Sequence, residues 1–213
     1  MGDDVTRRQT AADGLPFALT SVDRVLLSQT DDDFVPHSWR ELKSIIEKND
    51  LSALKRKPSD LDQYIKWTTD MKKQYGSITA FILANRLPSA WGQPPFSPQS
   101  QVPLNDAADY KVLLNDWPYG LEAGIKHLVV WSRTPIPTDA KTGDVTAESR
   151  ALIQDFIDRY FVDSIGPGGE KQVLWFKNWV ALQSVRSLEH FHVLVRDVDE
   201  DLVARWVGQQ TEE

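Results

Sequence analysis

The sequence predicts an α+β fold, an antiparallel sheet with helices packed on one face, preceded by a helical N-terminal region. Three observations carry this. Helical periodicity dominates before residue 88, four short apolar or alternating runs follow a proline-rich break, and those runs pair off through short connections. A chain of 213 residues can bury a sizeable core without staples.

Taken in order, residues 1–36 are rich in Asp, Thr and Ser and read as a partly disordered or draped arm. Residues 37–109 form a helical region and proline-rich linker. In 38–48, Ser38 with Glu41 three residues on predicts a capped helix start. Ser59 with Asp62 repeats that pattern. Leu61, Tyr64, Ile65, Thr68, Met71 and Tyr75 then recur at three and four, an amphipathic stripe. "GSITAFILANRL" predicts a second, more buried helix. Residues 88–109 hold five prolines, which excludes a long helix or central strand.

Residues 110–213 supply the core domain. "YKVLLN" and "IKHLVVWS" predict strands over 110–115 and 125–132, joined by the turn "DWPYGLEAG". Leu152, Ile153, Phe156, Ile157, Tyr160 and Phe161 mark a helix within 146–163. Strands follow over 172–178 and 190–197. An acidic first turn opens a last helix, which suits the positive end of its dipole.

Composition removes several functions. The chain lacks cysteine, so disulfides, thiol nucleophiles and Cys-based zinc sites are excluded. A net charge of −7 argues against nucleic acid as the main partner. No apolar run approaches a membrane span, and the N-terminus lacks a secretory pattern, so a cytoplasmic protein is expected. Gly2 and Thr6 give a weak myristoylation pattern. Asp31 to Asp33 read as a solvated acidic run, "GPGGE" as a loop, and Arg133 as a surface charge.

The chemistry concentrates in "SLEHFHVLVR". Along a strand i and i+2 share a face, so His190 and His192 point together while Glu189 and Phe191 point away. Such a pair suits a phosphate or metal contact, or simply lines a polar sheet face. The preceding loop brings Asn178, Gln183, Ser184, Ser187 and Arg186, donors of the kind an oxyanion needs. His127 joins the pair if its strand is a neighbour. Trp117 and Tyr119 flank Pro118 and can stack on a base or sugar, while Arg196 ends its strand as a candidate anion ligand.

"NDWPYGLEAGIKHLVVWS" and "FKNWVALQSVRSLEHFHVLV" resemble the two halves of the histidine-triad (HIT-like) fold. The resemblance implies His190 as nucleophile, His192 as phosphate ligand, and Asn178, Gln183 and Ser184 as residues orienting phosphate and leaving group. Leu188 stands where that family's first histidine belongs, and the loop lacks its glycines. "YGSITAFILANRLP", "NDWPYGLEAGIKHLVVWS" and "SLEHFHVLVR" give most of residues 60–207 a closer likeness to fungal proteins named for induction by N-acetylglucosamine.

The expected ligand is a phosphate-containing small molecule, a nucleotide or nucleotide sugar, with no cofactor. It is either turned over by His190 or bound without reaction. A histidine-held metal is the third reading, and a homodimer is one assembly open to the chain.

Overall fold

The computed structural model describes Leu19 and residues 21–208. Gly2, Thr6 and the first half of the expected arm lie outside the described residues. The remainder of that arm is built onto the domain. Helix α1 (Ser21–Leu26) buries Leu26 against Leu61 and Tyr64. Among the acidic run, Asp31 accepts the Ser59 N–H at 3.0 Å and pairs with Lys57 at 2.9 Å.

That contact corrects the start expected at Ser59 for the helix that runs from Pro58. Helix α2 (Trp39–Glu47) does begin at Ser38, whose hydroxyl accepts the Glu41 N–H at 3.2 Å. Glu41 does not close the reciprocal bond; its carboxylate lies 3.1 Å from His37 Nδ1. Helix α3 (Pro58–Tyr75) places Pro58 in its first turn, where the missing N–H costs nothing. Asp31 supplies the acceptor that Ser59 was expected to give, because Ser59 is already inside the helix. Gly76, at φ 81°, ends α3, and Ser77 caps α4 (Ile78–Asn85). Only Ile82 of α4 is fully buried. Residues 88–109 contain two single 3₁₀ turns, Ser89–Trp91 and Ala107–Asp109.

The sheet has four antiparallel strands in the order β1-β2-β4-β3: β1 (Tyr110–Leu114), β2 (Ile125–Ser132), β3 (Val173–Phe176) and β4 (Glu189–Arg196). One face is the main core. Val130, Phe191, Val193 and Val195 pack there against α5 (Ala147–Ile157) and α6 (Glu200–Gly208), through Ile153, Phe156 and Trp206. Beyond α5 the chain runs through a wide π turn at Asp158–Val162, which keeps Tyr160 and Phe161 on the apolar stripe. In "GPGGE", Gly169 packs so closely that a Cβ would meet the Val162 carbonyl at 2.7 Å. That segment is a tight return.

The other face carries two separate apolar patches. Val129, Trp131 and Leu188 pack against Ile82, Leu87 and Trp91 at one end. Phe176 and Leu194 pack against Leu42, Ile45, Leu51 and Leu54 at the other. His190 and His192 belong to neither patch, and their stretch of the face borders a cleft.

Arg133 corrects a second expectation. Its side chain is 9% exposed and lies 3.4 Å from the fully buried carboxylate of Asp109. The end of a strand is here roofed by residues 97–109, so its cation is internal. Among the described residues, no helix is long and apolar enough to cross a membrane.

Candidate ligand cleft

Strand pairing brings the histidines together. β2 lies beside β4 with Trp131 opposite His190, Val129 opposite His192 and His127 opposite Leu194. His127 and His192 are therefore diagonal neighbours on one face, within reach of each other. The His127 Nε2 to His192 Nδ1 distance is 3.0 Å. Asn178, just beyond β3, sets its amide 3.3 Å from His192 Nε2. Both nitrogens of His192 are thus held by protein, and its ring stacks on Phe176 at 4.9 Å.

His190 is arranged differently. Its Nδ1 lies 2.8 Å from the Leu188 carbonyl oxygen, which can only accept, so Nδ1 carries the proton. Its Nε2 has no hydrogen-bond partner among the described residues. The ring lies against Trp131 at 4.7 Å and edge-on to His192 at 5.5 Å.

All three rings are neutral near pH 7. Burial removes the water that would stabilise the charged form, pushing His127 down to about 3 and His190 down to about 4. Burial also holds His192 well below its ordinary value, with His127 and His190 adding to the effect. A neutral imidazole with one free lone pair is the nucleophilic form of histidine.

His190 and His192 border a cleft with two lobes, one of about 640 Å³ and one of about 980 Å³ measured out to the open mouth. The first lobe has an aromatic and aliphatic wall, including Tyr64, Trp67, Trp117, Ile82 and Val129. The second is polar, with Ser52, Tyr119, Asn178, Gln183 and Arg186. Arg56, Tyr64, Asn115, Ser184, His190 and His192 border both.

The expected site residues are therefore mostly gathered here. Gln183 borders the polar lobe, but its side-chain nitrogen donates to the Asn178 carbonyl at 2.7 Å and steadies that loop. Ser184 is exposed at the junction. Trp117 borders the aromatic lobe with its indole N–H buried and unpartnered. Tyr119 stacks on His127 at 5.4 Å. His127 itself sits behind His192 and borders neither lobe, so it supports the site from beneath. Arg196 is not brought in. Its guanidinium lies over the Trp39 ring at 4.9 Å, because four residues of extended strand carry it away from His192. Among the described residues, no group of three or more His, Asp or Glu side chains is placed to hold a metal ion.

Two contributors escaped the sequence reading. Arg56 precedes Pro58 in a stretch without pattern, and its guanidinium lies 4.5 Å from the Tyr64 ring and 5.1 Å from the Tyr119 ring. Asn115 places its amide nitrogen 3.3 Å from His127 Nδ1, where it can donate, and its oxygen accepts the Trp117 N–H at 2.9 Å. The asparagine in "LLNDWP" was the available signal, since Asn commonly hydrogen-bonds the backbone two residues on.

Residues 38–196 match the family described as "Protein of unknown function (DUF3605)". N-acetylglucosamine-induced protein 1 of Candida albicans is 30% identical over 185 residues, covering 79% of this chain and 71% of its own. An uncharacterised protein of Saccharomyces cerevisiae is 29% identical over 158 residues, 74% of this chain and 77% of its own. A crystal structure of HTC1 superimposes with a TM-score of 0.60 at 27% identity, covering 81% of this chain and 91% of that one.

Proposed function

This chain belongs to the DUF3605 family of unknown function, and from that premise we propose that its cleft takes a phosphate-containing small molecule, a nucleotide or nucleotide sugar, with His190 as nucleophile. The observation that carries the reading is the state of His190. Its Nδ1–H is fixed on the Leu188 carbonyl, and its unpartnered Nε2 belongs to a ring bordering both lobes. The aromatic lobe suits a base and the polar lobe suits a sugar or further phosphate. The proposed setting is the cytosol, where such esters are abundant.

In this reading the HIT-like likeness gives the chemistry. Nε2 attacks phosphorus and the P–O bond to the leaving group breaks, its electron pair leaving on oxygen, which takes a proton from water. The adduct is an imidazolium whose Nδ1–H stays on the Leu188 carbonyl, an acceptor suited to positive charge. Water then attacks phosphorus, the N–P bond breaks, a proton goes to solvent, and the neutral ring returns. Ser184, which borders both lobes, is the loop donor proposed to meet the developing charge.

One observation favours a second reading, binding without turnover. His192, the expected phosphate ligand, has both nitrogens occupied by His127 and Asn178. The deciding experiment incubates the protein with nucleoside monophosphates, diphosphates and nucleotide sugars. Product, together with a nucleotidyl adduct on His190 by mass spectrometry, supports the enzyme. Saturable binding with intact ligand supports the second reading. If His190→Ala retains parental ligand affinity and the parent yields no product, the proposed site is wrong.

A further inference from the structure

Arg56 stands out among the charges of the cleft. Arg86, also at the aromatic lobe, is compensated by Asp116 at 2.7 Å. Arg56 is half-buried and forms no ion pair among the described residues, although Asp23 also borders the polar lobe. Its Nε donates to the Trp117 carbonyl at 3.3 Å, and its guanidinium lies against the rings of Tyr64 and Tyr119. Those contacts orient the guanidinium while its terminal nitrogens have no hydrogen-bond partner among the described residues.

A partly desolvated cation without a counter-charge is costly, and holding it in one geometry costs side-chain entropy as well. Arg56 also opposes protonation of His127 and His192, so the cleft carries a fixed positive charge beside neutral imidazoles. Arg56 and His190 both border both lobes, so an anion in either lobe shares its walls with both residues. Guanidinium matches phosphate geometry through paired N–H donors.

We propose that Arg56 is the phosphate-binding residue of the cleft, setting a phosphate between the two lobes against His190. This rests on the reading of the cleft as a phosphate-ligand site and adds to it a residue from the helical region, outside the HIT-like half. The partner chemistry is a phosphate ester whose aromatic portion occupies the lobe lined by Trp67 and Trp117.

The test measures binding of adenosine 5′-monophosphate, uridine 5′-monophosphate and the two unphosphorylated nucleosides to the parent, R56Q and R56K by calorimetry. R56Q is expected to weaken nucleotide binding by about 10- to 100-fold, the worth of a charge-assisted contact, and to leave nucleoside binding unchanged. R56K, which keeps the charge and the stem, is expected to recover part of the loss, and it carries the test if R56Q does not fold. Equal nucleotide affinity in parent and both variants overturns the role of Arg56 and leaves the cleft reading intact. A parent that binds neither nucleotide overturns both.

Discussion

His127 Nε2 and His192 Nδ1 lie 3.0 Å apart, a direct bond between two buried imidazoles on adjacent strands. Only one of them can supply the hydrogen. The Tyr119 N–H faces His127 Nδ1 at 3.4 Å, so that nitrogen accepts and Nε2 of His127 donates. His192 then accepts at Nδ1 and carries its own proton on Nε2, next to the Asn178 amide. Asn178 Nδ2 lies 3.3 Å from that nitrogen, and turning the amide over by 180° would bring its otherwise unpartnered oxygen round to accept the proton. The expected result in long-range ¹⁵N–¹H spectra is Nε2–H for His127 and His192 and Nδ1–H for His190. An Nδ1–H signal on His192 would reverse the proposed direction of the chain.

Burial of these rings makes stability depend on pH. Protons bind the unfolded chain at the ordinary histidine value of 6.5 but bind His190 only near 4 and His127 only near 3. Acid therefore favours the unfolded state. The contribution is complete above about pH 6.5 and is lost as pH falls toward 4, with a limiting slope of about 1.4 kcal/mol per pH unit for each such ring. Urea denaturation between pH 7 and 4.5 is expected to show that slope, and His190→Gln is expected to remove about one proton from it. A slope unchanged by the substitution contradicts the buried, neutral assignment.

Asp109 anchors the roof over the sheet end. Its carboxylate accepts the Gln99 N–H at 2.9 Å and the Ser100 N–H at 2.8 Å, and it faces Arg133. Asp109→Ala leaves two backbone donors and a nearly buried guanidinium without their acceptor, a loss of about 3–5 kcal/mol. Asp109→Asn keeps part of the hydrogen bonding and is expected to cost less. Equilibrium denaturation compares the two, and equal losses would place the effect in packing rather than in charge.

The legible parts of the fold are those written locally. Alternation in "HFHVLV" puts His190 and His192 on one face and Phe191 on the other, and the structure buries that other face in the main core. The cap at Ser38 and the stripe from Leu61 to Tyr75 mark helices through contacts three or four residues apart. What could not be read depends on distant segments. Arg133 looked exposed because nothing nearby announces that residues 97–109 fold over it. Arg196 looked like an anion ligand because strand parity gives a side chain's face, whereas its distance from the cleft depends on the loops around it. Arg56 comes to share a cleft with His190 only through the docking of a helical region more than 130 residues upstream.

Leu188 tests how the histidine pair fits its surroundings. It lies on the His190 side of β4, two residues earlier, where the HIT-like likeness expects a third imidazole. Here it is 2% exposed and packs with Ile82, Trp91, Val129, Trp131 and Val185. The helical region thus fills with apolar side chains the place that a histidine would need to keep wet or hydrogen-bonded. Leu188→His should not act as a simple restoration. It exchanges a packed leucine for a polar ring among apolar neighbours, an expected loss of about 2–4 kcal/mol. Because the Leu188 carbonyl also holds the His190 proton, any shift of that backbone disturbs His190 as well. Denaturation measures the first effect and the His190 Nδ1–H resonance the second. A variant as stable as the parent, with that resonance unmoved, would mean that the position tolerates an imidazole and that packing is not what keeps leucine there.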